Sequence, residues 1–169
     1  MKRKSQTVFS KNTISEAFCR LAKDYDIYKI TISQIVAEAG LSRSTFYRHF
    51  DTVESVVRYT SDSIIEEGVS MLSSLESPTL EDLIRWRLGI AKDLPYLAGL
   101  EMHPTIKNII GTQPTERLRK LGSVLDFETP YKLTFNLAGF QAIIDQWAEN
   151  GFQESVDEMT IIALRLLGS

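Results

Sequence analysis

An all-α fold in two parts is predicted by three features of the sequence. Apolar residues recur at three- and four-residue steps along most of the 169-residue chain, the spacing that gives a helix one buried face. Pairs such as Thr13 with Glu16 and Thr31 with Gln34 stand at the heads of such stretches, where each side chain can satisfy a backbone N–H left open by the first helical turn. Charge is also segregated: residues 1–50 hold nine Lys and Arg against four Asp and Glu, and the remainder ten against eighteen. A basic module joined to an acidic body suits phosphate binding at one end, because counterion release rewards cations only where they meet a nucleic-acid backbone.

The totals narrow the class further. With 43% apolar residues in 169, the chain can build one or two small packed units, and it is too short for a large enzyme with an inserted cofactor domain. Charged residues are in ordinary globular proportion, which excludes wholesale disorder. No apolar run reaches the roughly 18 residues of a membrane span, and Lys2, Arg3 and Lys4 are not followed by the apolar core of a secretory signal. The expected residence is cytoplasmic. Cys19 is the single cysteine, so neither a disulfide framework nor a thiol metal site is available.

Taken in order, residues 1–9 show no helical pattern. They read as a basic tail, either solvated or serving as an arm that adds phosphate or minor-groove contacts. A first helix is expected to begin between Ser10 and Thr13, with Ile14, Ala17, Phe18, Leu21, Ala22 and Tyr25 along one side. Thr31 and Gln34 then open a second helix whose apolar face is Ile32, Ile35, Val36 and Ala39, with Ile30 and Ile35 closing over its start. Gly40 is placed to end it in a left-handed conformation. Ser42 caps a third helix, in which Phe46 and Phe50 face inward at i and i+4. Arg43, Ser44, Thr45, Tyr47, Arg48 and His49 are thereby turned outward or to the edges. From Leu41 to Phe50 there is no carboxylate.

Two short helices about a glycine turn, the second bearing donors, form a helix-turn-helix, in which the second helix lies in the major groove. The segment resembles the TetR family of bacterial transcriptional regulators in Thr31, Ile35, Ala39-Gly40-Leu41-Ser42 and above all Thr45-Phe46-Tyr47-Arg48-His49-Phe50. The likeness in sequence covers about the first third of the chain, and beyond it only the helical layout is similar. It implies that Arg43, Ser44, Thr45 and Arg48 face bases and that Thr31, Tyr47 and His49 hold phosphates, with Ser42 at the head of the reading helix. One position departs from the family pattern. A lysine usual three residues after the last phenylalanine of the motif is here Val53, which lowers backbone affinity or leaves it to the basic start of the chain.

A fourth helix is expected from about Thr52 to Leu75, capped by Asp51 and Glu54 and roughly 35 Å long at about 1.5 Å per residue. Ser77-Pro78 breaks the pattern. The expected organisation is therefore a helix-turn-helix domain over 1–51, a connecting helix over 52–76 and a C-terminal effector-binding and dimerisation domain over 77–169. Helices are expected in the last part from about Thr79 to Leu94, between Pro104 and Pro114, from Thr115 to Leu125, from Tyr131 to Asn150, and from Glu154 onward. That layout makes about nine helices in the chain.

The final helix carries apolar residues on nearly all sides, which points to cover by another surface, the alternative being that it is central in its own bundle. A dimer face over the last two helices follows, with Leu137, Phe140, Ile144, Met159, Ile162 and Leu166 as its candidate residues. The resemblance implies the same pairing, as well as a small-molecule effector in the body. Trp86, Tyr96, Met102, His103, Phe135, Phe140 and Trp147 are the candidate lining, although aromatics at helical spacing more often form plain core. His103 has no second histidine or cysteine near it, so no metal site is expected. Nucleophile-elbow, phosphate-loop and His-Glu-x-x-His strings are missing, and neither enzyme activity nor a cofactor is expected. The sequence thus predicts a DNA-binding regulator, in the family's usual manner a ligand-responsive repressor acting as a homodimer on a palindromic operator. The alternative is a coactivator on the same scaffold that does not itself bind DNA.

Overall fold

Hydroxyl side chains open most of the helices and glycines close two of them. The computed structural model describes residues 2–94 and 130–167, which form seven α-helices and one 3-10 turn, with no strand among the described residues. The helices are α1 (Lys2–Asp24), α2 (Ile32–Glu38), α3 (Arg43–Tyr47), α4 (Val53–Ser74), α5 (Leu80–Asp93), α6 (Pro130–Glu149) and α7 (Val156–Leu167), and the 3-10 turn is Ile27–Lys29. The two helices expected over 104–114 and 115–125 lie outside the described residues. The chain divides into two compact units, Met1–Asp62 and Ser63–Ser169.

In the first unit, Ile14, Ala17 and Phe18 of α1 are fully buried with Ile35 of α2, Phe46 of α3 and Val56 of α4. Beside this apolar core the hydroxyls of Ser15 and Thr60 meet at 2.7 Å, both buried, so two polar side chains inside the unit satisfy each other. Tyr59 Oη donates to Asn12 Oδ1 at 2.6 Å, and its ring meets Phe50 edge-on at 5.5 Å. These contacts set α1 against the start of α4 and leave α2 and α3 held from behind.

Two expectations for this unit are corrected. α1 begins at Lys2, not between Ser10 and Thr13, so the basic start of the chain is helical. Thr13 does not cap: its hydroxyl donates to the carbonyl of Phe9 at 2.9 Å, and Ser10 does the same to Gln6 at 3.0 Å. Such back-bonding to the preceding turn lets a hydroxyl residue sit inside a helix. At the head of α4 the cap is Thr52, paired with Ser55, in place of Asp51 and Glu54.

The second unit is built on α5, α6 and α7. Ile84, Leu88 and Ala91 pack with Phe140, Ile144 and Trp147 and with Met159, Ala163 and Leu167 in one core. A smaller cluster joins Leu72 at the end of α4 to Leu83 of α5, with Trp86 packed against it. The Trp86 ring lies so close to Gly68 that an added Cβ would come within 2.5 Å of it. Thr79 and Asp82 form a reciprocal capping box on α5, and Ser155 and Glu158 do the same on α7. Hydrogen bonds from Thr79 lower the Asp82 pKa, and those from Ser155 lower that of Glu158. Arg85 pairs with Asp157 and Glu81, and these bonds raise its pKa. At the end of α6, Gly151 takes a φ of 72°, the N–H of Phe152 reaches the carbonyl of Trp147 at 2.9 Å, and the two rings meet edge-on at 4.9 Å. Backbone bond and apolar contact together make a Schellman closure.

Candidate nucleic-acid interface

The geometry of α2 and α3 begins with the caps. Thr31 accepts from the N–H of Gln34, and Gln34 Oε1 accepts from the N–H of Thr31. At the other end Gly40 sits at φ 65°, with its N–H bonded to Ala37 and that of Leu41 to Val36. A left-handed residue is required there, and glycine adopts it without a Cβ clash. Ser42 then accepts from the N–H of Thr45 and starts α3 two residues after the glycine. α3 is shorter than expected, but the N–H groups of His49 and Phe50 both bond to the carbonyl of Phe46, so the turn carries on to Phe50.

Phe46 is 0% exposed and Phe50 is buried, which anchors α3 by one side. Its other side presents Ser42, Arg43, Ser44, Tyr47 and Arg48 to solvent, while Thr45 and His49 are half-buried. Tyr47 is 55% exposed although its ring edge touches Phe46 at 5.7 Å. Thr31 is exposed at the start of α2. All eight residues that sequence reasoning assigned to DNA thus belong to the helix-turn-helix, six of them solvent-exposed.

The local field is cationic. The nearest acid upstream, Glu38, is held by Arg20 at 2.6 Å, and no acid stands between Ala39 and Phe50. The two arginines are poised differently. Arg43 Nη2 donates across to Ser33 Oγ on α2 at 2.6 Å. Arg48 folds back on its own helix, with Nη2 on Thr45 Oγ1 at 2.9 Å and Nε toward the carbonyl of Ser44 at 3.3 Å. Ser33 was missed by sequence reasoning. It lies off the Ile35 and Val36 face of α2, which is the only signal the sequence gave for it.

The remaining candidates are scattered. Tyr96, Met102 and His103 lie outside the described residues. Trp86 is half-buried over Gly68, and Phe140 and Trp147 are in the core of the second unit. Of the residues expected on a dimer face, Phe140, Ile144 and Met159 are in that same core, Leu137 is half-buried, and Ile162 and Leu166 are exposed. Phe135, expected in the cavity lining, is exposed on α6 together with Tyr131, and Ile161 is exposed on α7. No described helix is long and apolar enough to cross a membrane.

A helix-turn-helix with a donor-bearing second helix, in a protein with helices and no strand among the described residues, defines the class as a DNA-binding module joined to a helical body. Residues 14–59 match the family model for bacterial regulatory proteins of the tetR family, so the helix-turn-helix segment is of the TetR family. The fold is similar to that of the fatty acid degradation regulator FadR from Bacillus halodurans, at 14% identity and a TM-score of 0.74 over 94% of each chain. It is also similar to a TetR-family transcription regulator from Shewanella sp. PV-4, at 16% identity and a TM-score of 0.64 over 94% of this chain and 95% of that one. A third similar structure is a TetR transcriptional regulator from Streptococcus agalactiae 2603V, at 20% identity and a TM-score of 0.60 over 99% of this chain and 98% of that one. At these identities the likeness is one of fold. No curated protein matches the chain.

Proposed function

We propose that the protein is a transcriptional regulator that binds a palindromic operator as a homodimer and represses until a small-molecule effector releases it. The observation that carries the DNA-binding part is the two-sidedness of α3: Phe46 and Phe50 are buried while Arg43, Ser44, Tyr47 and Arg48 stand in solvent with no acid among them. Arginine donors at the head of such a helix match guanine edges in the major groove, and Thr31, Tyr47 and His49 supply donors for phosphates. Contacts to phosphate fix register, whereas contacts to base edges set sequence choice.

Pairing is supported by the outward side of α6 and α7. Tyr131 and Phe135 are followed at helical spacing by exposed Ala138 and Ala142, and Ile161, Ile162 and Leu166 are exposed on α7. Large apolar groups beside small ones, open to water, suit close helix-to-helix packing against a second copy. In such a dimer the two α3 helices occupy successive major grooves, about 34 to 36 Å apart. An effector that prefers a differently splayed dimer shifts the equilibrium off DNA by its difference in affinity. α4 is one unbroken helix whose residues fall in both units, and it is the proposed route of that coupling. No catalytic role is assigned to the chain.

Paired substitutions test the reading. Tyr47→Ala should weaken binding to all DNA about equally, whereas Arg43→Ala should cost about 1 to 3 kcal/mol mainly on the preferred site. Titration against preferred and random duplexes reads both. Equal losses on the two duplexes from Arg43→Ala would refute its role at base edges. Operator release on adding candidate effectors tests the induction half, and intact DNA binding with no responsive ligand would sink that half alone.

A further inference from the structure

The base-reading role proposed for Arg43 raises the question of what holds its side chain before DNA arrives. An exposed arginine has rotamer entropy to lose on docking, and a partner already in place reduces what is lost at that moment. Arg43 has such a partner: Nη2 donates to Ser33 Oγ at 2.6 Å, from α3 to α2. Ser33 is itself exposed, and its helix is fixed at one end by the Thr31 capping box and at the other by the Gly40 turn. The brace therefore stands on a rigid element.

The bond uses one of the two protons on Nη2. The second Nη2 proton and both Nη1 protons are left over, more than the two donors that guanine O6 and N7 accept. Arg48 is in the opposite condition, since Nε and Nη2 are both turned onto Ser44 and Thr45 of its own helix.

We infer that Ser33 is a specificity-determining positioning residue, which holds the Arg43 guanidinium ready for a guanine in each operator half-site. This rests on the proposed DNA-reading role of α3. It adds that one base position is read through a residue that does not touch the base.

The test compares wild type, Ser33→Ala, Ser33→Thr and Arg43→Ala on three duplexes: the site selected by the protein from random DNA, that site with the guanine replaced, and a scrambled sequence. Loss of one hydrogen bond predicts that Ser33→Ala weakens the selected site about 3- to 10-fold, with a smaller change on the other two duplexes and an unaltered salt slope. Ser33→Thr keeps the hydroxyl and should restore most of the preference. Arg43→Ala should lose about 5- to 150-fold on the selected site alone. Thermal melting of each variant reports folding separately, and a selective loss with unchanged melting is the supporting result.

A Ser33→Ala loss that is equal on all three duplexes, or no loss, overturns the positioning role while a selective Arg43→Ala loss leaves the reading of α3 intact. If Arg43→Ala shows no selective loss, base reading by Arg43 and the role of Ser33 fail together.

Discussion

The two units solve the problem of an exposed helix face in opposite ways. In the first, the outward residues of α2 and α3 are hydroxyls and arginines that satisfy one another, as in the Ser42 hydroxyl with Ser44 and Thr45 and the Arg43 bond to Ser33. In the second, the outward residues of α6 and α7 include Phe135, Ile161, Ile162 and Leu166, and Phe135 is 72% exposed. Donors in water lose little by waiting for phosphates and base edges, because water satisfies them in the meantime. Exposed apolar side chains gain nothing until another surface covers them. The contrast teaches that the exposed side chains of α2 and α3 suit a polar partner and the exposed apolar ones of α6 and α7 an apolar partner, as the proposed function requires.

Substitutions can break the contrast at either end. The largest effect is expected in the cores, where Phe46→Ala should destabilise the first unit by about 3 to 5 kcal/mol. Denaturant melts should place that loss in the first unit, with DNA binding abolished and self-association retained. Next is the apolar face. Phe135→Asp and Leu166→Asp, at residues that lie outside the core, should each weaken self-association at least about tenfold, the scale of one well-packed interface residue. Sedimentation would read this, and far-ultraviolet circular dichroism should show the helices unchanged.

Smaller effects sharpen the picture. Thr79→Ala removes the cap of α5 and should cost about 0.5 to 2 kcal/mol. The linked pH dependence has a definite sign. The carboxyls of Asp82 and Glu158 are held below their usual range by hydrogen bonds from Thr79 and Ser155, so the unfolded chain takes up protons first as pH falls. Their contribution is complete above the ordinary carboxylate pKa of about 4 and is lost as pH drops through the lower folded values. Asp82→Asn should flatten the acid limb of a stability titration. The smallest expected change is a gain: Val53→Lys at the head of α4 should tighten all DNA a few-fold and steepen the salt slope by about 0.9.

Much of the reading unit was legible because its signals are local. Thr31 with Gln34, Gly40 and Ser42 act within four residues of themselves, and each sits where its spacing implied. The start of α1 was not legible, since residues 2–9 carry no apolar periodicity and Thr13 can either cap a helix or bond backward within one. Nor does periodicity tell which of two apolar surfaces meets a helix. Phe140 and Ile144 make a clear stripe on α6, but the stripe packs on α5, and the outward residues are Tyr131 and Phe135. The Arg43 bond to Ser33 joins residues ten apart across a turn, a pairing that depends on the angle between two helices and leaves no mark in the sequence.

The most direct test is to let the purified protein select fragments from a random DNA pool and to sequence what it retains. Paired reading helices predict an inverted repeat whose half-site centres lie about 10 to 10.5 base pairs apart, or a multiple of that, with a guanine in each half. A single unrepeated motif, or a retained pool as random as the one supplied, contradicts it.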